Sequence, residues 1–465
     1  MFLRRYHQYS FHFLRPVEWK QRLTSALIYC NQKSLHSLKE RGIIKQVLSS
    51  VNESELLRFL HRSNAAYCGF DPTTDSLHVG HLLPIILLLH IQKQGIKPIV
   101  VLGDVTAKIG DPSCRVTARD PILEATIRHN CTKIEKNILR IFNNYQTYFQ
   151  CDSPLPKLQV LRNSSWYRHV NVVHFLATIG RHFRLEKMLE RASVQERLAN
   201  SDGMNVAEFK YQMFQAYDWS ELFEQYGCRV QIGGQDQLDN IKGGRNLIKQ
   251  LYGDEETIGL TTPLISAESG DKYGKTGCSP IWLSSEKNSA YDLYQFFLRM
   301  EDIEAERFAR MFVFAGNEEL QEIVRAHHNY PEKRLCQKKL ATDITILVHG
   351  QEGLNLAVKA TELLFGNKLD LLHQLTTEEF EQIFTKAAYV EIPRCIRDES
   401  KIDLVSLSVL AKLFLTEKDA KRIINNGGLY LNMKRVSAIP PDVELPTGIT
   451  LARVGKKNYT LIKWI

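Results

Sequence analysis

Short apolar runs that alternate with longer helical patterns constrain this chain more than any other feature. Ala65–Phe70 reads as a strand that ends in the turn Asp71-Pro72. A helix follows over about residues 79–94, closed by Gly95. Residues 98–102 (PIVVL) form a second buried strand that runs into Gly103-Asp104 and then Ile109-Gly110-Asp111-Pro112. Residues 229–232 make a later strand, ending in Gly233-Gly234. Strands separated by helices predict an α/β fold with a parallel sheet. In such sheets ligands gather at the carboxyl ends of the strands, and Asp71, His78, Asp111, Gly234 and Asp236 all follow strand ends. No G-x-G-x-x-G follows the first strand, so a nicotinamide-dependent reading loses its main support.

At 465 residues the chain is too long for one core, and two or three domains are expected. Residues 289 to about 365 are helical throughout, which suggests a separate helical domain. Residues 369–402 are more irregular, contain Pro393 and read as a connection. A compact unit follows. Thr416 and Asp419 resemble a capping box, Ile423 and Ile424 face inward, and Asn425-Asn426-Gly427-Gly428 ends the helix. Lys418, Lys421 and Arg422 fall off the apolar face, placed to meet phosphates. Residues 429–431 and 435–436 look like strands around a turn. The most apolar stretch, residues 82–89, is far short of the ~20 residues that cross a bilayer and reads as a buried helix.

The net charge of +8 is uneven. Basic residues outnumber acids in residues 1–40 and in residues 401–465, which leaves the body between them near neutral. A basic C-terminal module suggests a polyanionic partner; the alternative is a solvated basic face. The first 33 residues are basic, carry aromatic and aliphatic residues throughout and hold no acid before Glu18. That is the composition of a mitochondrial transit peptide, the alternative being a basic arm. The nine cysteines form no C-x-x-C pair and no zinc-spaced cluster, so free thiols in a reducing compartment and no structural metal are expected.

Two short motifs carry phosphate chemistry. His78-Val79-Gly80-His81 lies between a strand and a helix, where amides and the positive end of the helix dipole attract phosphate. Gly80 lets a nucleotide approach the backbone, and the imidazoles offer donors. The alternative is a pair of capping or core histidines. Lys272-Tyr273-Gly274-Lys275-Thr276 follows the turn signal Ser269-Gly270-Asp271 and forms a flexible cationic loop able to close on β- and γ-phosphates. Tyr211, Gln215 and Asp218 recur at i, i+4 and i+7 and so share one helix face; such a polar stripe either meets water or lines a polar pocket.

The segments YCGFDPTTDSLHVGH, IGDPS, EFKYQMFQAYDW, IGGQDQLDNI and KYGKT, in that order, resemble the tyrosyl-tRNA synthetases of class I, and the leader points to the mitochondrial form. The likeness runs from about Tyr67 to Tyr459. It implies a Rossmann-like parallel-sheet catalytic domain over residues 34–288, behind a transit peptide at 1–33. A helical anticodon-side domain would cover 289–368. A linker and a small α+β RNA-binding domain, similar to a ribosomal small-subunit protein, would cover 369–465.

The resemblance also assigns residues. Tyr67 and Asp218 would hold the phenol hydroxyl of tyrosine, and Asp111, Tyr211 and Gln215 its amino group, with Gln231 and Gln237 near the carboxylate. Thr73, His78, His81, Lys272, Lys275 and Thr276 would bind the developing phosphate charge. Gly69, Asp71, Gly80, Gly234 and Asp236 would shape the ATP site, with Lys275 closing on it. Lys418, Lys421, Arg422, Lys456 and Lys457 would hold tRNA.

The implied reaction joins L-tyrosine to the 3′-terminal adenosine of tRNA(Tyr) through tyrosyl-adenylate, in a homodimer of the mitochondrial matrix with no membrane partner. ATP is the second substrate, and Mg2+ accompanies the phosphates. The tryptophanyl relatives share the motifs but should lack the Tyr67/Asp218 pair; a second role in RNA binding stays open. Some residues depart from the family pattern: KYGKT replaces KMSKS, Gln235 stands where serine is usual, and Leu238-Asp239 replaces an aromatic-glycine pair.

Overall fold

The computed structural model describes residues 36–50, 63–113, 117, 120–149, 154–200, 203–265, 280–366, 369–384, 387–398, 402–455 and 458–465. By contacts the chain divides into two units. The first comprises residues 1–75, 80–135 and 151–265; the second comprises 76–79, 136–150 and 266–465. The residues read as a transit peptide, 1–33, and Lys272, Lys275, Thr276, Lys456 and Lys457 lie outside the described residues.

The first unit is built on a six-stranded sheet. Its strands are β1 (Gln46–Leu48), β2 (Ala65–Phe70), β3 (Lys97–Leu102), β4 (Gln159–Arg162), β5 (Cys228–Gly234) and β6 (Ile258–Thr262). The spatial order is β1-β6-β5-β2-β3-β4. All pairs are parallel except β1 with β6, which is antiparallel. Strand β3 is buried from Pro98 onward and β6 throughout, as expected of strands covered on both faces. The parallel order reverses between the neighbours β2 and β5, and that reversal opens a crevice beyond their carboxyl ends.

Helix α1 (Leu82–Lys93) is apolar nearly all round and buries ten residues, as the apolar run predicted. Helix α2 (Val206–Tyr226) begins at a capping box in which Asn205 and Glu208 satisfy each other's backbone amides. It ends at Gly227 in the left-handed region, φ 60°, where a side chain would also press on Asn64. Trp219, Leu222, Ile241, Ile248 and Tyr67 pack in the core beside this helix.

The second unit carries the expected helical stretch: α3 (Ala290–Leu298), α4 (Asp302–Phe312), α5 (Asn317–Asn329) and α6 (Leu335–Phe365), the last interrupted at Gly350 with φ 76°. Its C-terminal part is a five-stranded sheet of order β7-β11-β10-β8-β9. The strands are β7 (Ala388–Ile392), β8 (Leu429–Leu431), β9 (Lys434–Arg435), β10 (Ile449–Val454) and β11 (Asn458–Trp464). Residues 369–402 are more than a connection: they contain helix Thr377–Ile383 and strand β7, which pairs in parallel with β11. That pairing joins residues about seventy positions apart in the chain, which periodicity alone cannot reveal. Helix α7 (Glu417–Asn425) starts at Thr416, whose side chain accepts from the Asp419 amide, and buries Ala420 and Ile424. Among the described residues no helix is long and apolar enough to cross a membrane.

Candidate active site

The β2–β5 crevice of the first unit receives polar side chains from four segments. The stripe on α2 does not meet water: Tyr211 and Asp218 are buried and Gln215 is half-buried. Asp218 is held from two sides. Trp166 Nε1 donates to its Oδ1 at 2.9 Å and Asn163 Nδ2 to its Oδ2 at 3.2 Å. Burial pushes the carboxyl up to about 7, against the pull of those donors and with a smaller push from the charge on Asp71. Tyr67, in the middle of β2, is 2% exposed, and burial followed by the Asp218 charge raises its phenol well above the ordinary range.

Tyr67 Oη, Gln215 Oε1 and Gln231 Oε1 are all buried without a hydrogen-bond partner among the described residues. Orphaned buried polar atoms cost free energy. Three of them around one crevice fit a polar ligand that would satisfy them: a hydroxyl-bearing group near Tyr67 and Asp218, and a cationic or hydrogen-bonding group near Gln215.

A second cluster sits at the strand ends. Tyr211 Oη donates to Asp71 Oδ2 at 2.9 Å, and Thr106 Oγ1 donates to Asp71 Oδ1 at 2.7 Å. Gln237 Nε2 donates to Asp111 Oδ2 at 2.8 Å and reaches Asp236 Oδ2 at 3.4 Å, while Asn240 Nδ2 donates to Gln237 Oε1 at 3.1 Å. Of the aspartates that the strand-end argument selected, Asp111 and Asp236 are joined through Gln237, while Asp71 is bonded separately to Tyr211 and Thr106. Gly234 leads into this cluster, and a Cβ there would lie 2.3 Å from Asp236 Oδ1. Gly233 is as tightly placed, with Gln237 Cβ 2.9 Å from where its own Cβ would be. Close approach of the Gln237 and Asp236 side chains, not turn geometry, favours glycine at both positions. Thr261 Oγ1 donates to Gln235 Oε1 at 2.7 Å, so the unusual glutamine is tied to β6.

The remaining motif residues divide between the units. Thr73 is half-buried, its amide donating to Asp71 O at 2.8 Å, and Gly69 is exposed on β2. His81 packs edge-on against Phe70 at 5.9 Å, just after Gly80. His78 belongs to the second unit, where it forms an antiparallel bridge with Trp282 and meets that ring edge-on at 6.1 Å. Val79 N donates to Ile281 O at 3.0 Å and Leu283 N to Leu77 O at 2.8 Å, so a short ladder fixes the motif's backbone. Burial lowers the His78 pKa, which favours a neutral imidazole able to donate one hydrogen bond.

In the C-terminal sheet region Lys418, Lys421 and Arg422 are exposed as expected, yet two of them are paired within the helix. Lys421 meets Glu417 at 3.5 Å and Arg422 meets Asp419 at 3.0 Å. Exposed pairs of this kind are weak and open readily to an incoming phosphate.

Asn163 and Trp166 escape the sequence reading. They follow β4, a four-residue strand too short and too half-buried to announce itself, although the strand-end rule would have found them had β4 been recognised.

Residues 60–366 match the family described as tRNA synthetases class I (W and Y). The chain belongs to this family. A class I synthetase of this length has relatives along almost its whole extent. It is 40% identical to the tyrosine–tRNA ligase, mitochondrial, of Drosophila melanogaster over 93% of this chain and 95% of that one. It is 37% identical to the human protein of the same description over 93% and 92%. Among solved structures it resembles a C-terminally truncated mitochondrial tyrosyl-tRNA synthetase from Aspergillus nidulans, with a TM-score of 0.65 and 28% identity. That match covers 74% of this chain and all of the other. The family groups tyrosine and tryptophan enzymes, so the crevice chemistry has to distinguish the substrate.

Proposed function

We propose that this class I synthetase is a tyrosine–tRNA ligase, and that the buried Tyr67/Asp218 pair reads the phenol of its substrate. The observation that carries the reading is the unpartnered Tyr67 Oη in a pocket whose carboxylate, Asp218, is already held from two sides. A phenol hydroxyl can donate to Asp218 and accept from Tyr67. A phenylalanine ring leaves Tyr67 Oη unpaired and gives Asp218 no further donor in a buried site. An indole offers one donor and no oxygen acceptor, so it satisfies only half of the pair.

Tyr211, Gln215 and Asp111 then meet the ammonium, and Gln231 and Gln237 lie toward the carboxylate. The reaction is in-line attack of that carboxylate on the α-phosphate of ATP, giving tyrosyl-adenylate and pyrophosphate. Transfer of the tyrosyl group to the terminal adenosine of tRNA(Tyr) follows. Positioning and charge neutralisation do the work, with no dedicated base. Thr73, His78, His81, Lys272, Lys275 and Thr276 are proposed for the phosphates, and Gly69, Asp71, Gly80, Gly234 and Asp236 for the nucleotide. The described residues contain no group of three or more His, Cys, Asp or Glu suited to a metal. Magnesium is proposed to accompany the phosphates, which supply most of its oxygens.

Lys418, Lys421, Arg422, Lys456 and Lys457 are proposed to hold tRNA through its backbone. The four-part division at residues 33, 288 and 368 belongs to the same reading. So does residence in the mitochondrial matrix, supported by the names of the relatives and by the basic leader. A homodimer, taken from the family resemblance, belongs to the same reading.

Amino-acid-dependent pyrophosphate exchange across all twenty amino acids tests the proposal. Exchange with tyrosine alone is expected. Exchange with tryptophan and not tyrosine overturns it.

A further inference from the structure

A continuous hydrogen-bond chain runs between the two carboxylates of the crevice. Asn163 Nδ2 donates both to Asp218 Oδ2 and to Thr106 Oγ1, each at 3.2 Å. The amide cannot be reversed, because its Oδ1 accepts from the Val105 amide at 2.9 Å. Thr106 Oγ1, having accepted, has one proton to give; its partners are Asp71 Oδ1 at 2.7 Å and Gly103 O at 3.2 Å, and the shorter bond goes to the charged acceptor. Tyr211 Oη closes the far end on Asp71 Oδ2 at 2.9 Å. The chain therefore runs outward from Asn163, one way to Asp218 and the other way through the Thr106 hydroxyl to Asp71.

The surroundings preserve this route. Asn163 is fully buried and Thr106 is 2% exposed, so water does not replace either link. Gly103 makes room for the junction: a Cβ there would lie 2.2 Å from both Asp71 Oδ1 and Thr106 Oγ1. The two carboxylates repel each other, and the chain sets fixed donors between them.

We infer that Thr106 is a positioning residue that joins the phenol-reading end of the site to its nucleotide end. Its hydroxyl carries the chain from Asp218 through Asn163 to Asp71. The inference rests on the assignment of Asp218 to tyrosine and Asp71 to the nucleotide made above. A substrate that engages Asp218 therefore bears on Asp71 through this chain, a route separate from the direct Tyr211–Asp71 bond.

The test uses the full-length protein with Thr106→Val, which removes the hydroxyl at nearly constant volume, Thr106→Ser, which keeps it, and Asn163→Ala, which cuts the chain from the phenol side. Thr106→Val is expected to raise the KM for ATP and to reduce the preference for tyrosine over phenylalanine, each roughly three- to tenfold, the scale of one net hydrogen bond. Thr106→Ser should stay within about twofold of wild type, the hydroxyl being retained. Asn163→Ala should raise the KM for ATP although Asn163 touches neither Asp71 nor Tyr211. Equal impairment by valine and serine, or an Asn163→Ala effect confined to tyrosine, overturns the inference. Should Thr106→Val fail to fold, the serine and Asn163 variants decide it alone. Absence of tyrosine-dependent exchange in the wild-type protein would instead defeat the functional reading itself.

Discussion

Trp166 donates its indole N–H to Asp218 across 2.9 Å, holding in place a carboxylate that burial pushes up to about 7. The indole fixes one oxygen and Asn163 the other, so the remaining lone pairs of Asp218 have a defined direction. A buried acid with that much of its geometry set in advance is suited to reading a hydroxyl.

Replacing Asp218 by Asn keeps the size and removes the charge. The ratio of kcat/KM for tyrosine to that for phenylalanine, read by pyrophosphate exchange, should fall at least about tenfold, the scale of a lost charge-assisted hydrogen bond. An unchanged ratio would remove Asp218 from substrate reading.

The same carboxyl predicts a pH dependence of stability. Folding raises its pKa from an ordinary 3.8 to about 7, so between those values the folded state keeps a proton that the unfolded state has released. Stability of the ligand-free protein should therefore fall as pH rises from about 4 to about 7, by an amount on the order of a few kcal/mol. Denaturant midpoints of wild type and Asp218→Asn across that range should diverge steadily with pH, the variant becoming relatively more stable. Parallel curves would contradict the shift.

Gly103→Ala places a methyl group where Asp71 Oδ1 and Thr106 Oγ1 now stand, 2.2 Å away. Something must move, at about 1–3 kcal/mol. The KM for ATP should rise more than that for tyrosine, because Asp71 belongs to the proposed nucleotide end; thermal unfolding and exchange kinetics together check this.

Arg197 and Glu208 form a buried ion pair at 2.9 Å, 1% and 3% exposed, and Glu208 also caps α2. Arg197→Met should cost about 3–5 kcal/mol, since it leaves a carboxylate buried without its partner. Pairing it with Glu208→Leu should recover a large part. Denaturant unfolding of the two variants measures the difference.

Reversing Lys421 and Arg422 to Glu converts two intrahelical pairs into repulsions with Glu417 and Asp419 while adding negative charge to the surface. Charging of tRNA should weaken by an order of magnitude or more at low salt, with pyrophosphate exchange unchanged. Loss of both activities would argue against a separate RNA-binding module.

Much of this was legible in one dimension. Local patterns announce β2, α1, β3, β5 and α2, because a strand or helix buried in a sheet writes its periodicity into neighbouring residues. The strand-end rule brought Asp71, Asp111, Gly234 and Asp236 together before any coordinates, and the i, i+4, i+7 spacing put Tyr211, Gln215 and Asp218 on one face. What the stripe faced could not be read, since burial depends on what packs against a helix. Strands β1, β4 and β7 stayed hidden for the same reason: each is short, and its pairing partner lies far away in the chain.

By itself the sequence determined the fold class, the order of the motifs and the residue types able to bind a phenol and a triphosphate. Only the tertiary structure decided that Asp218 is held by Asn163 and Trp166 from a strand end nobody would have marked, and that Tyr211 and Thr106 converge on Asp71. Residue chemistry and local spacing are one-dimensional properties. Which hydroxyl meets which carboxylate depends on segments 35 and 140 residues apart folding onto neighbouring strands, and no periodicity encodes that.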